Sequence, residues 1–467
     1  MYAKSNLRLP LADTNFLSHM NSSLLFRWSI SVALAGFLFG LDTAVISGAE
    51  QAIQRLWNLD NFTHGLAVAM ALWGTVVGAI LGGIPSDVLG RKRTLFIIGI
   101  LFLVSSVGSA MAPGVGVFMI FRFLGGLAIG SSSVTAPLYI SEIAPPQSRG
   151  RLVALFQFNI VLGILIAYVA NYLLRDIGGD DAWRWMLGWV TVPSLLFSLA
   201  VLVIPESPRW LLVKKGDEAG ALSILRSIDP STAQSQIDAI RAGMQPTGDS
   251  TQTSSFFSGK YRKPILLAFL FAFFNQVSGI NAVIYYAPRI FAETGMGKSA
   301  ALLSSTGIGL VNLVFTLLGV ALIDRMGRRF LMYIGSWGYI FSLSLVAYAF
   351  FSGAASNSLL VPILLFVFIA AHAIGQGAVI WVFISEIFPN AVRSYGNALG
   401  SATHWVFAAL IANIFPWFAG RFGGGPIFTF FAVMMVFQLL FVWKMMPETK
   451  GVSLEDLEKQ LKHGSHR

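Results

Sequence analysis

The stretch "GFLFGLDTAVISGA", residues 36–49, places a carboxylate, Asp42, inside an apolar run long enough to cross a bilayer. An ionised Asp at mid-helix costs about 2.5–3.5 kcal/mol on insertion scales, so it needs a partner or a task. Arg122, in "FRFLGGLAIG", is a base inside another such run. Counted along a helix from the ends of their runs, both lie roughly 10 Å below the same surface. A carboxylate whose distance to a guanidinium changes between two states can bind a proton in one and release it in the other. That is the chemistry of proton coupling. A pair that never parts would be purely architectural.

A second set of residues is neutral. Asn275, Gln276, Asn281 and Asn312 interrupt otherwise apolar runs. Each amide offers both a donor and an acceptor, which suits a polyhydroxylated ligand such as a sugar. Ser278 and Gly279 lie between Gln276 and Asn281, and glycine permits a broken helix of the kind that lines transporter sites. Trp381, in "GQGAVIW", offers a stacking floor for the C–H face of a sugar. Gln157 adds an amide from the other part of the chain. For any single amide the alternative is helix–helix glue.

These residues need elements to hold them. The 467-residue chain is 55% hydrophobic and 12% charged, with a mean hydropathy of +0.70. Soluble domains carry roughly twice that charge fraction. Apolar runs predict an all-α polytopic membrane protein with twelve spans, near 26–48, 64–84, 94–112, 116–140, 151–173, 184–204, 264–292, 300–323, 330–352, 359–385, 394–418 and 426–446. Residues 1–25 show no cleavable signal pattern. With both termini placed in the cytoplasm, the net charge of +10 falls on the inner side and the outer side balances. The positive charge is thereby accounted for without nucleic acid. On these boundaries Asp42 is the acid that falls within a span, and Arg122 lies well inside another.

Three motifs recur at an offset of about 240 residues: "DVLGRKR" with "DRMGRRF", "YISEIAPPQSR" with "FISEIFPNAVR", and "PESP" with "PETK". The chain therefore divides into an N-terminal segment 1–25, a six-helix bundle 26–204, a cytoplasmic linker 205–263 with helical pieces near 217–228 and 232–243, a second bundle 264–446 and a tail 447–467. Two related bundles suit a carrier that binds near the midplane and rocks. The charged pair falls in the first half alone; "GLDTAVI" aligns with "GINAVI", so Asp42 corresponds to Asn281. One half would handle charge and the other neutral substrate. With no Cys, nucleophile–base pair, metal cluster or phosphate-binding loop on the chain, an enzyme, a metal or a cofactor is not expected.

Over residues 26–455 the chain resembles the sugar porter family of the major facilitator superfamily. The resemblance rests on "FGLDTAVISG", "DVLGRKR", "RFLGGLAIG", "SEIAPPQSRGR", "PESPRWL", "QVSGINAVIYYAP", "DRMGRR", "SEIFPNAVR" and "PETKG" in that order. It implies the major facilitator fold and uptake of a hexose or pentose by alternating access. It puts Gln157, Gln276, Asn281, Asn312 and Trp381 on sugar-contacting positions, and Tyr285 and Tyr286 on an extracellular gating segment. An acid at Asp42 goes with proton symport in this family, an amide with facilitated uniport. The cytoplasmic motifs place Asp87, Arg91, Glu142, Arg149, Glu206, Arg209, Asp324, Arg328, Glu386 and Arg393 at helix ends, where ion pairs could form in one state and break in the other.

The sequence departs from the family pattern at three places. Asn275 stands where a Gln is usual. His404 stands where an Asn or Gln is usual, as a neutral sugar ligand or a titrating group, the former being the reading taken here; His372 is read as helix packing. "GQGAVIW" lacks the usual proline before its Trp, which leaves span ten without that cause of a kink. The expected partners are a monosaccharide, protons and the bilayer of a bacterial inner membrane, with the chain acting as a monomer. A facilitative uniporter and a non-transporting sugar sensor are the alternatives, although residues 447–467 are short for a signalling tail.

Overall fold

A computed structural model describes residues 22–242, 256, 259–356, 359–389, 392–452 and 457. Among them the chain is helical without strands, and twelve helices are long and apolar enough to cross a membrane. Spans 1 to 6 are Ser23–Leu56, Asn61–Leu81, Arg91–Ala110, Val115–Ile143, Arg149–Leu174 and Gly179–Val203. Spans 7 to 12 are Arg262–Glu293, Lys298–Met326, Arg328–Ser352, Leu360–Glu386, Arg393–Phe422 and Gly424–Lys444. The linker carries helices Glu218–Ile228 and Ala233–Ala242, packed on each other around Leu225 and Ile237. Trp210 ties it to the first half by donating from Nε1 to the Asp87 carbonyl at 2.9 Å. Residues 1–21 of the N-terminal segment, the Ser/Thr-rich part of the linker and most of the tail beyond 452 lie outside the described residues.

Small residues let the helices approach closely, as packing between membrane helices demands. A Cβ on Gly40 or Gly163 would overlap the opposing backbone of spans 5 and 1, and one on Gly74 or Gly126 would overlap that of spans 4 and 2. The same device joins the halves. Gly65 of span 2 lies against the Asn413 carbonyl of span 11, and Gly309 of span 8 against Leu165 of span 5. Asp60 opens span 2: its carboxylate accepts from the backbone N–H groups of Phe62 and Thr63 and from the Thr63 hydroxyl. Those bonds, Thr63 first, hold the Asp60 carboxyl below its ordinary range.

Two spans are interrupted where the site forms. Span 7 is two helices, Arg262–Val277 and Ile280–Glu293, joined at Gly279 with φ 86°. A side chain there would be strained, and its Cβ would come within 2.5 Å of the Phe431 ring. Span 10 is interrupted with no proline at the interruption. A π-helical turn, Ala373–Gly377, sits between helices Leu360–His372 and Ala378–Glu386. Gln376 in that turn is fully buried and held by Tyr339 and Gln438. The missing proline is thus replaced by a widened turn anchored through a buried amide. His372 accepts from or donates to the Tyr339 hydroxyl at 2.6 Å, within the packing of spans 9 and 10.

Candidate functional site

Asp42 and Arg122 meet in the first half. Arg122 Nη1 donates to Asp42 Oδ1 at 2.7 Å and Nη2 to the Asp42 carbonyl at 3.1 Å. Both side chains are almost wholly buried, 4% and 1% exposed for the acid and base respectively. The pair is not fully satisfied: Asp42 Oδ2, Arg122 Nε and the neighbouring Ser105 hydroxyl have no partner among the described residues. Gly125 leaves the Ser105 hydroxyl its room, since a Cβ there would overlap it. Tyr285, on the second helix of span 7, is fully buried and brings its hydroxyl near Thr43 and this pair from the opposite half.

The amides gather around the break in span 7. Asn281 Nδ2 donates to Gln276 Oε1 at 2.6 Å, and Gln276 Nε2 donates to Asn275 Oδ1 at 2.8 Å and to a ring nitrogen of His404 at 3.2 Å. His404 packs between Trp381 and Trp405, with ring centroids 5.0 and 4.7 Å away. Trp405 reaches Phe39 of span 1 at 5.6 Å, so this aromatic row crosses between the halves. Trp381 is 40% exposed, the accessible face of an otherwise buried group. Asn312, on span 8, is bonded by Thr316 on its own helix rather than by the cluster. Gln157 is partly buried and makes no side-chain hydrogen bond among the described residues. The structure therefore brings Asn275, Gln276, Asn281, His404 and Trp381 together and leaves Asn312 and Gln157 apart from their hydrogen-bonded network.

The end that bears the linker carries two matching charge clusters. Arg91 donates to both oxygens of Glu142 at 3.0 and 3.1 Å and to Asp87 at 3.0 Å. Glu206 accepts from the Arg91 and Lys92 backbone N–H groups at 2.8 and 3.1 Å. In the second half Arg328 bonds Glu386 at 2.9 and 3.2 Å and Asp324 at 3.0 Å, while Glu448 accepts from the Arg328 and Arg329 backbone. Glu142 and Glu386 thus pair with Arg91 and Arg328, not with Arg149 and Arg393 of their own motifs. Arg393 Nε bonds the Phe388 carbonyl, and Arg149, Arg209 and Arg393 join no ion pair among the described residues. Glu448 is a member that the sequence reading left out, although it matches Glu206 in the "PESP"/"PETK" repeat.

Among the described residues no ion pair joins the halves at the linker end. The far end is different. Tyr168 of span 5 donates to the Ile284 carbonyl of span 7 at 2.7 Å, while Tyr286 stays within the second half, stacking on Phe415 at 5.1 Å and donating to the Ala412 carbonyl at 2.9 Å. Arg289 of span 7 crosses to Glu50 of span 1 at 2.6 Å. This corrects the expectation that Asp42 is the only acid within a span: the first helix runs on to Leu56 and buries Glu50 completely. Among the described residues, the hydrogen bonds and ion pairs that join the two halves lie toward the far end.

The chain belongs to the Sugar (and other) transporter family, whose model matches residues 28–461. It is therefore a membrane transport protein of the sugar porter type and not an enzyme. It is 36% identical to the D-xylose-proton symporter of Escherichia coli (strain K12) over 94% of this chain and 96% of that one. It is 38% identical to the arabinose-proton symporter of Bacillus subtilis (strain 168), over 92% and 94%. Its structure matches the inward open conformation of the xylose transporter XylE from E. coli with TM-score 0.83 and 33% identity, covering 93% of this chain and 99% of that one. Against the proton:xylose symporter XylE bound to 6-bromo-6-deoxy-D-glucose the TM-score is 0.77 at 34% identity, covering 94% and 100%.

Proposed function

We propose that this chain, acting as a monomer in a bacterial plasma membrane, takes up a pentose or hexose together with a proton. The observation that carries the reading is the buried Asp42–Arg122 pair, with one carboxylate oxygen free, set in the half opposite the amide cluster. The names of the xylose and arabinose symporters similar to it support the same reading. In it the linker end is cytoplasmic, and the charged clusters Asp87–Arg91–Glu142–Glu206 and Asp324–Arg328–Glu386 brace each half at its inner end.

A proton taken by Asp42 from the outside cancels the attraction that holds Arg122. Asp42 then becomes compatible with a rearranged seam, and Tyr285 at that seam links the change to span 7. There Gln276 and Asn281 exchange their mutual hydrogen bonds for sugar hydroxyls, and Trp381 stacks on the sugar's C–H face. Release of the proton inside restores the ion pair. One proton crossing 100 mV supplies about 2.3 kcal/mol, enough for roughly 50-fold accumulation.

The test is Asp42→Asn in proteoliposomes. Accumulation of labelled xylose, arabinose or glucose driven by a pH gradient should be lost while sugar counterflow survives. Unchanged accumulation in that variant would refute coupling through Asp42. Counterflow in the unaltered chain without any response to a proton gradient would identify a facilitative uniporter instead.

A further inference from the structure

Charged groups also gather at the far end, well apart from Asp42. Glu50 Oε1 accepts from Arg289 Nε at 3.1 Å and Oε2 from Nη2 at 2.6 Å, and His64 Nε2 lies 2.8 Å from the same Oε2. Gln54 accepts from the same guanidinium. Glu50 and His64 are fully buried on spans 1 and 2, and Arg289 reaches them from span 7, in the other half. His64 Nδ1 has no partner among the described residues. Tyr286 stands edge-on to the imidazole at 6.2 Å, and among the described residues Glu293 is the further charged side chain near Arg289 and Glu50. In the repeat, Glu50 corresponds to Arg289 as Asp42 corresponds to Asn281. The duplicated position thus carries opposite charges that meet across the seam.

We propose that Glu50 and His64 form a second proton-binding site, for which the proton and the Arg289 guanidinium compete. While the far end is shut, Arg289 supplies the positive charge that buried Glu50 requires. A protonated His64 would bury a second positive charge beside it and leave its Nδ1–H without an acceptor. When the halves part, Arg289 leaves with its own half. Glu50 keeps His64 as its remaining neighbour, and the imidazole takes a proton from solvent to become the new cationic partner. Opening the far end binds one proton and closing it returns that proton to solvent. Acid therefore favours the open far end, by up to about tenfold per pH unit for one linked proton. This rests on the alternating-access reading but not on coupling through Asp42.

Phe62 and Lys298 are exposed at the far end, one in each half, and the chain has no Cys. Spin labels on Phe62→Cys and Lys298→Cys therefore report the far-end separation alone. The measurement is pulsed dipolar spectroscopy in lipid nanodiscs, made in the Asp42→Asn background so that Asp42 cannot supply the pH response. Between about pH 8 and about pH 5.5 the ratio of long to short distances should rise at least about threefold. Adding His64→Gln, which keeps a donor for Glu50 without titrating, should remove that rise. Glu50→Gln should raise the long-distance share at every pH and flatten its pH dependence, and it carries the test if His64→Gln does not fold. No rise in the Asp42→Asn background, or an equal rise with and without His64, overturns the proposal. Failure of the symport reading would appear in sugar accumulation, which these distances do not measure.

Discussion

Gln276 shows how much one side chain can hold. Its amide is the common member of the bonds to Asn275, Asn281 and His404. Gln276→Ala would leave those three side chains without their shared partner, at about 1–3 kcal/mol for each group left unpaired in a dry setting. We expect sugar affinity to fall by about tenfold to a hundredfold, with the protein still monodisperse; isothermal titration of purified protein measures it, and unchanged affinity would remove Gln276 from the site. The pairing of Asp42 with Arg122 could be read from depth alone, because both lie on regular helices where residue counts convert to distance. Glu50 could not be read in the same way. Its span was ended where the apolar run stops, and hydropathy cannot say that an arginine from the opposite half will compensate a further buried acid. The sign that was present is the matched placement of an acid and a base in "GLDTAVISGAE" and "GINAVIYYAPR".

At the scale of elements, the break in span 7 was foreseeable from Gly279, whereas the π-helical turn in span 10 was not. A missing proline removes one cause of a bend, but a π-helical turn has no comparable mark in sequence; its anchor, Gln376, reads as one more intramembrane amide. Gly279→Ala tests the first of these. A residue in the left-handed region costs about 1–2 kcal/mol, and the added methyl would also press on Phe431. The thermal unfolding midpoint should fall and sugar binding should weaken with it, because Asn275 and Gln276 lie on one side of the break and Asn281 on the other. A midpoint equal to that of the parent chain would mean that the break tolerates a side chain.

For the whole molecule, the recurrence of motifs made the twofold build legible, and the linker-end clusters obey it closely. Arg91, Glu142 and Glu206 have counterparts in Arg328, Glu386 and Glu448. The partners within each cluster were less legible, since spacing along the chain does not reveal which of several arginines a buried glutamate will face. The seam departs from the twofold pattern, and beside the Arg289–Glu50 pair some of its contacts are made to main-chain atoms. Tyr168 bonds the carbonyl of Ile284, and Gly65 rests on the carbonyl of Asn413. A carbonyl survives any change of the side chain that shares its residue. Deep mutational scanning of sugar-dependent growth should therefore be lopsided across each contact: Gly65→Ala and Tyr168→Phe should be depleted, and Ile284→Val and Asn413→Ser retained. Equal depletion on both sides would show that side chains carry the seam. At these contacts the two halves can diverge in sequence at unequal rates while keeping a common meeting surface, because only one of the two partners is written in the genetic code as a side chain.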